Sequence, residues 1–206
     1  ALIGARACSK RRSDFLRGRI VAKRLLSSIH PGSTIEDFIV LPNDGGVPIP
    51  FDRNLTPLPY SLTISHTERI ALAGVVKLPV KLGADVERTI ERPAFVVDDY
   101  FTSIERDQVR QGDFEHQRTW ATCIWALKEA ALKALGDGLR RSTQSIEVVQ
   151  MSPGPAFSPA LMRCDDGTSL IASIRLIPQG AVAVCIIPAQ ADDLPLQISE
   201  TEVFLS

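Results

Sequence analysis

Long apolar runs, a charge imbalance and a leader-like segment are all missing from this sequence. Its 206 residues carry 23 Lys and Arg against 24 Asp and Glu, so no overall charge attracts nucleic acid or a membrane surface. The longest apolar runs are well short of a membrane span, and residues 1–20 are charged throughout. We therefore expect no nucleic-acid partner, no membrane association and no signal peptide.

Paired cysteines are also missing. The four cysteines are scattered and none belongs to a CxxC pair: Cys8, Cys123, Cys164 and Cys185. A chain of this length can bury a core without disulfides, and a zinc site needs clustered ligands. We predict free thiols and a cytoplasmic protein.

Charge is uneven along the chain even though its sum is close to zero. Residues 1–24 hold eight Lys or Arg and a single acid, Asp14. Such a basic segment can bind an anion, or it can be the solvated face of a helix. Composition alone favours the solvated face.

Apolar periodicity predicts two long helices. Residues 9–29 have an apolar stripe at helical spacing that ends at His-Pro-Gly, and residues 116–139 have a stronger one with Gly136 as a C-terminal capping residue. Strands are predicted by alternating or apolar runs, two within residues 61–76 and others at 80–90, 145–150, 169–176 and 181–187. Residues 41–59 are rich in proline and are predicted to form a loop.

The order of a helix followed by strands occurs twice in the chain. This repeat predicts an α+β fold of two pseudo-symmetric halves, each a long helix packed on a small antiparallel sheet. We place the halves at residues 1–100 and 101–190, with a cleft between them and a loose tail at residues 191–206. Such a pseudo-dimer is expected to work as a monomer.

Two carboxylates stand out in the stretch LGADVE, residues 82–87. Asp85 and Glu87 are two residues apart on a predicted strand, so their side chains point to the same side. Two ionised carboxylates ~4 Å apart repel by ~4 kcal/mol at an effective dielectric near 20. Solvent, a Lys or Arg, or a metal ion must offset this repulsion, and the pair alone does not decide between them.

The second helix brings a third carboxylate into consideration. Trp125, Glu129 and Lys133 are spaced at i, i+4 and i+8 and share one helix face. Glu129 and Lys133 can form an ordinary surface salt bridge. If Glu129 instead lies beside Asp85 and Glu87, three oxygen ligands with open positions suit Mg²⁺ and substrate phosphates.

A serine and a histidine end a predicted strand. Ser65 and His66 close the apolar run that begins at residue 61, at a predicted turn. A lone histidine is more often structural than functional. A Ser-His pair near basic residues can also bind a phosphate.

Taken together, these motifs resemble those of the Sfp-type 4′-phosphopantetheinyl transferases, and more closely their EntD-like branch. The motifs that carry the resemblance are KRRSDFLRGR (10–19), ISH (64–66), LGADVE (82–87), YFTSIE (100–105) and WALKEAALK (125–133). The pairing of G-x-D-x-E with W-x-x-K-E-A-x-x-K is specific, whereas either motif alone is weak. The resemblance covers about residues 9–190.

The resemblance implies a reaction. These enzymes move the phosphopantetheine arm of coenzyme A onto a serine of an apo carrier protein, release 3′,5′-ADP and depend on Mg²⁺. By position, Asp85, Glu87 and Glu129 would hold Mg²⁺ against the pyrophosphate. Glu129 would also be the base for the carrier serine, directly or through a water, and Lys133 would stabilise or protonate the leaving phosphate.

The resemblance also implies how coenzyme A is bound. Its phosphates would contact Arg11, Arg19, Ser65, His66, Lys128 and Lys133. Glu105 matches a family position and is either a carboxylate at the start of a helix or a group near the site. The stretch NDGGVP at residues 43–48 lacks the basic residue that many relatives carry, which puts one contact with coenzyme A in doubt.

Two alternatives remain at the level of sequence. One is a non-catalytic module that binds coenzyme A or a carrier protein, and the other is a different metal-dependent phosphotransferase or hydrolase. The sequence does not distinguish carriers of fatty acid, polyketide or nonribosomal peptide synthesis. It also leaves open whether the chain is a free enzyme or a domain of a larger synthase.

Overall fold

The computed structural model describes residues 9–188, apart from the side chains of residues 9–11 and of Leu139. The helices in this part of the chain are α1 (Ser9–Ile29), α2 (Ala94–Tyr100), α3 (Ser103–Arg110) and α4 (Phe114–Leu135). The strands are β1 (Phe38–Pro42), β2 (Pro48–Asp52), β3 (Tyr60–His66), β4 (Ala71–Lys77), β5 (Lys81–Arg88), β6 (Ile146–Met151), β7 (Ser158–Cys164), β8 (Ser169–Ile177) and β9 (Gly180–Ile187).

The strands form three antiparallel sheets. β1 pairs with β2, β3 pairs with β4, and the remaining strands form a five-stranded sheet in the order β5-β9-β8-β7-β6. α1 packs on β1, β3 and β4, and α4 packs on β5 and β9. The prediction of an α+β fold with a long helix on antiparallel strands in each half is confirmed. The residue boundary between the halves stays a prediction.

The first long helix has the bounds that its periodicity predicts. Its apolar stripe, including Val21, Leu25 and Leu26, is buried in a cluster with Phe38 and other residues of the first strands. The helix stops at His-Pro-Gly because Pro31 cannot continue the hydrogen-bond ladder and Gly32 takes a left-handed conformation with φ of 81°.

The second long helix starts two residues earlier than predicted, and it ends at Leu135, directly before the predicted capping residue Gly136. The Asp113 side chain accepts a hydrogen bond from the His116 amide and so caps the start. Gly136 has φ of 85° and its amide donates to the carbonyl groups of Leu132 and Lys133, which ends the helix. Unlike a helix with one apolar stripe, α4 is buried on most sides, from Ala121 to Ala134.

Strand β5 lies at the edge of the five-stranded sheet, and side chains of β3 cover that edge. One side of β5 pairs with β9 along its whole length. On the other side, the amides of Leu82, Ala84 and Val86 donate to the hydroxyl oxygens of Ser61, Thr63 and Ser65 at 3.1, 3.1 and 3.3 Å. These hydroxyls accept hydrogen bonds from edge amides that would otherwise be buried and unpaired. The same hydrogen bonds attach the β3–β4 hairpin to the larger sheet.

Several sequence predictions need correction. Residues 41–59 are not a loop throughout, because β1 and β2 form an antiparallel hairpin in which Val40 lies opposite Pro50. The strand β7 and the short helices α2 and α3 were not predicted. The tail predicted at residues 191–206 lies outside the described residues.

The described cysteines are free thiols, as predicted. Cys123, Cys164 and Cys185 are buried and unpaired, and Cys8 lies outside the described residues. Burial raises the pKa of Cys123 and of Cys185 to about 12, so neither thiol ionises readily. Among the described residues, no helix is both long and apolar enough to cross a bilayer.

Close packing of β5 on α4 makes Gly83 sensitive to substitution. A Cβ atom at this position would lie 1.9 Å from the Ala130 carbonyl oxygen and 2.4 Å from the Ala134 amide nitrogen. We expect Gly83→Ala to lower the free energy of unfolding by about 3 kcal/mol or more, because helix backbone must move. Chemical denaturation measures this change.

Gly154→Ala is the matched control for this substitution. A Cβ atom there would meet nothing within 4 Å. We expect its free energy of unfolding to stay within about 0.5 kcal/mol of the wild-type value. Equal stability of the two variants would contradict the close approach of β5 to α4.

Candidate active site

Asp85 is a buried carboxylate held by two donors. It is 4% exposed. The Ser65 hydroxyl donates to its Oδ1 atom at 2.6 Å, and the Lys133 ammonium lies at 2.6 Å from the same oxygen. The other oxygen, Oδ2, is buried and has no hydrogen-bond partner. A buried carboxylate oxygen without a partner is costly, so this oxygen is available to a further donor or to a cation.

Glu87 lies on the same side of β5, as the strand period predicts, and it has a different cation. The Arg92 guanidinium contacts its carboxylate at 3.1 Å between Nη2 and Oε2. Burial and the nearby charge of Asp85 raise the pKa of Glu87, and Arg92 acts in the opposite direction. The like charges of Asp85 and Glu87 therefore interact, and a cation partly offsets their repulsion.

Glu129 approaches this pair from α4. Burial and then the charge of Asp85 raise its pKa, Glu87 adds to this effect, and Lys133 and Arg92 oppose it. The fold thus brings the three predicted carboxylates and Lys133 into one electrostatic environment. The helix α4 that carries Glu129 packs along β5, and the Glu129 side chain is half-buried there.

A divalent cation suits the donors at this site. In the described part of the chain, no three acidic, His or Cys side chains form an assembled metal-binding group. Lys133 and Arg92 instead neutralise two of the acids. The unpartnered Oδ2 of Asp85 and three carboxylates that repel one another are oxygen donors of the kind that Mg²⁺ prefers. The residues therefore fit an oxygen-bound divalent cation.

Ser65 and His66 occupy different environments. Ser65 is buried, donates to Asp85 and accepts from the Val86 amide, so its hydroxyl is used inside the protein. This arrangement does not agree with the prediction that Ser65 binds a phosphate of coenzyme A. His66 is exposed at the end of β3 and could reach a ligand.

The basic face of α1 lies beside the same end of β3. A Cβ atom on Gly18 would lie 2.6 Å from the Ile64 side chain, and Arg17 donates to the Glu68 carbonyl in the turn after β3. Arg19 stacks on Phe15 at 3.4 Å, and burial lowers its pKa. The side chain of Arg11 lies outside the described residues.

Lys128 is not at the surface of the site, contrary to the prediction that it binds a phosphate. Its side chain is fully buried and its ammonium contacts both oxygens of Glu105 at 2.8 and 2.6 Å, and the Ile146 carbonyl at 2.6 Å. These three acceptors use all the hydrogens of the ammonium. Lys128 is next to Glu129 in sequence, but on a helix adjacent residues face different directions.

Glu105 belongs to the same internal network. It is fully buried, and it also accepts hydrogen bonds from the Thr102 and Val148 amides. Thr102 and Glu105 form a capping box at the start of α3, so the interpretation as a helix-start carboxylate is confirmed. The Lys128–Glu105 pair ties α3, α4 and β6 together.

Sequence reasoning missed Arg92. Its side chain is 10% exposed, pairs with Glu87 and lies over the Trp125 ring at 5.3 Å. In the sequence it belongs to the polar stretch ERTIERP, which resembles a solvated loop. The signal that could have found it is the need for a cation beside two carboxylates.

Comparison with known families agrees with this geometry. The profile of the 4′-phosphopantetheinyl transferase superfamily matches residues 81–185, just over half of the chain. The matched segment includes Asp85, Glu87, Glu129 and Lys133. This chain therefore belongs to the 4′-phosphopantetheinyl transferase superfamily. The resemblance is confirmed at this level, and the Sfp-type, EntD-like branch stays a prediction.

Part of the chain matches a solved structure, the holo-[acyl-carrier-protein] synthase (AcpS) of Thermotoga maritima. It is 20% identical in sequence with a TM-score of 0.42, and the match covers 52% of this chain and 61% of that synthase. No curated protein sequence matches the chain.

Because Lys128 and Glu105 form a buried ion pair, we expect the free energy of unfolding to depend on it. We expect Lys128→Met to lower the free energy of unfolding by about 3 to 5 kcal/mol, because it leaves the Glu105 charge buried without its cation. In the double variant Lys128→Met/Glu105→Gln, the charge is gone while an acceptor for the Val148 amide remains. We expect this double variant to regain part of the loss in chemical denaturation.

Lys77→Met is the control, since Lys77 is exposed at the end of β4. Its free energy of unfolding is expected to change by less than about 0.5 kcal/mol. If Lys128→Met were as stable as this control, Lys128 would not be a buried structural cation.

Proposed function

We propose that this protein transfers the 4′-phosphopantetheine arm of coenzyme A to a serine of an apo carrier protein, with release of 3′,5′-ADP and dependence on Mg²⁺. The observation that carries the proposal is the shared electrostatic environment of Asp85, Glu87, Glu129 and Lys133 within the segment that matches the superfamily. Three carboxylates and a lysine are the groups that phosphoryl-group transfer requires, namely metal ligands, a base and a cation for the leaving group.

The cation would be held by the free Oδ2 of Asp85 together with Glu87 and Glu129. When bound, it supplies positive charge that neutralises the pyrophosphate of coenzyme A. Ser65 and Lys133 both contact Oδ1 of Asp85, and they orient the carboxylate so that Oδ2 stays available.

Glu129 is the group proposed to take the proton of the carrier serine. Its carboxylate lies on α4 beside Asp85 and Glu87, and a carboxylate at the proposed cation site can accept the proton of a serine hydroxyl. As the serine oxygen forms its bond to the phosphorus, the bond to the 3′,5′-ADP oxygen breaks. The proton moves to Glu129, directly or through a water.

Lys133 is proposed to act on the leaving group. Its side chain is partly exposed, at 27%, and its ammonium contacts Asp85 and the Ala84 carbonyl. A cation in this position can neutralise the charge that develops on the leaving phosphate. Lys128, which is buried and fully paired, takes no part in this proposal.

Coenzyme A is proposed to bind along the basic face of α1. Arg17 of α1 reaches the turn that follows His66, and Arg19 and Arg11 are candidates for contacts with the phosphates. The same basic face could also contact an acidic carrier, since carrier surfaces of fatty acid, polyketide or nonribosomal peptide synthesis are commonly acidic. We propose that the protein acts as a monomer in the cytoplasm.

A direct assay tests the proposal. The protein is incubated with Mg²⁺, coenzyme A and each of several apo carriers, and intact-mass spectrometry follows the carrier. We expect the carrier mass to increase by one phosphopantetheine arm, and we expect EDTA to abolish the increase. Binding of coenzyme A without transfer to any carrier would favour the non-catalytic binding module instead.

Two substitutions test the roles of the carboxylates. We expect Asp85→Asn and Glu129→Gln each to lower the transfer rate at least about 100-fold, since each removes charge that the transition state requires. Glu115→Gln, an exposed position on the same helix as Glu129, is expected to keep the wild-type rate. Melting temperatures are measured in parallel, because loss of rate by unfolding would not support the assignment.

A wild-type rate for either Asp85→Asn or Glu129→Gln at low Mg²⁺ would show that the assigned ligand is wrong.

A further inference from the structure

Two cations already hold the acids of the candidate active site, and each contacts a single carboxylate oxygen. Lys133 contacts Oδ1 of Asp85 and leaves Oδ2 without a partner. Arg92 contacts Oε2 of Glu87. Because Oδ2 of Asp85 stays available beside Lys133, a divalent cation and Lys133 can share this carboxylate. Arg92 lies directly on the carboxylate that is proposed as a second ligand.

The position of Arg92 is fixed by the fold and not by chance surface contact. Pro93, the next residue, is the N-cap of α2, so the backbone of Arg92 is tied to the start of that helix. The guanidinium lies over Trp125, which is on the same face of α4 as Glu129. Its Nε atom is buried and has no hydrogen-bond partner, so the guanidinium is incompletely satisfied in this position.

We infer that Arg92 is a positioning residue that sets the affinity of the acid site for its divalent cation. It neutralises and orients Glu87 when no cation is bound, and its positive charge opposes the binding of a second cation to that carboxylate. This inference rests on the proposed function, because it takes Asp85, Glu87 and Glu129 as the cation ligands. Arg92 thereby weakens cation binding, and it offsets the repulsion among the three carboxylates when no cation is bound.

The inference predicts the direction of change in cation affinity. Replacing Arg92 by glutamine removes the competing charge and leaves the three acids uncompensated. We expect Arg92→Gln to bind Mn²⁺ roughly tenfold more tightly than the wild type, the order expected for removal of one charge from a partly buried site. Titration of free Mn²⁺ by electron paramagnetic resonance measures the dissociation constant without coenzyme A or a carrier.

Two further variants serve as controls. Arg88→Gln also removes one positive charge, at the residue that follows Glu87 on β5. Arg88 is exposed, pairs with Glu68 and lies on the other side of the strand from Glu87. We expect its Mn²⁺ affinity to stay within about twofold of the wild-type value, because an exposed charge is screened by solvent. Arg92→Lys restores the charge and is expected to return the affinity close to that of the wild type.

A second measurement guards against a simple folding defect. In EDTA we expect Arg92→Gln to melt below the wild type, and on addition of Mn²⁺ we expect it to gain more in melting temperature. Damage to the site would weaken Mn²⁺ binding, which is the opposite direction.

Unchanged or weaker Mn²⁺ binding by Arg92→Gln would overturn the inference and leave the proposed transfer activity standing. If the wild type bound no Mn²⁺ at all, the cation part of the proposed function would fail, and the inference with it.

Discussion

The carboxylate of Asp85 joins three elements of this fold. It projects from β5, accepts a hydrogen bond from Ser65 of β3 and contacts Lys133 of α4. A buried carboxylate is tolerated only with such donors, so its charge holds the β3–β4 hairpin, the large sheet and the long helix in one arrangement. Because both donors contact the same oxygen, the arrangement also leaves the other oxygen directed at the candidate cation site.

The parts of the structure that follow a simple period could be predicted from the sequence. The stripe of α1 and the helix α4 show a clear 3.6-residue pattern, and the strands β3 to β5 and β8 to β9 are apolar runs bounded by turn residues. The shared direction of Asp85 and Glu87 follows from the strand period alone. No local pattern places Asp85 and Glu87 near Glu129, because the two segments are far apart in sequence. That proximity was implied by the resemblance to a family.

The remaining parts depend on contacts that local patterns do not show. Prolines at residues 42, 48 and 50 suggest a loop, yet a short two-stranded hairpin accommodates them. Lys128 and Glu129 are neighbours in one motif, but the helix turns one into the core and the other toward the acid site. Arg92 belongs to no recognisable sequence pattern, and its role follows from the carboxylates that the fold places near it. The alternation in β7, whose buried residues are Ala160, Met162 and Cys164, was visible in the sequence and was missed.

The most direct test of this account is a crystal structure of the protein with Mn²⁺ and coenzyme A, in which anomalous scattering locates the ion. The account predicts an anomalous peak within coordination distance, about 2 Å, of Oδ2 of Asp85, with Glu129 beside it and the pyrophosphate on the open side of the ion. An ion bound elsewhere, or coenzyme A bound with its pyrophosphate away from Asp85, would contradict the central claim.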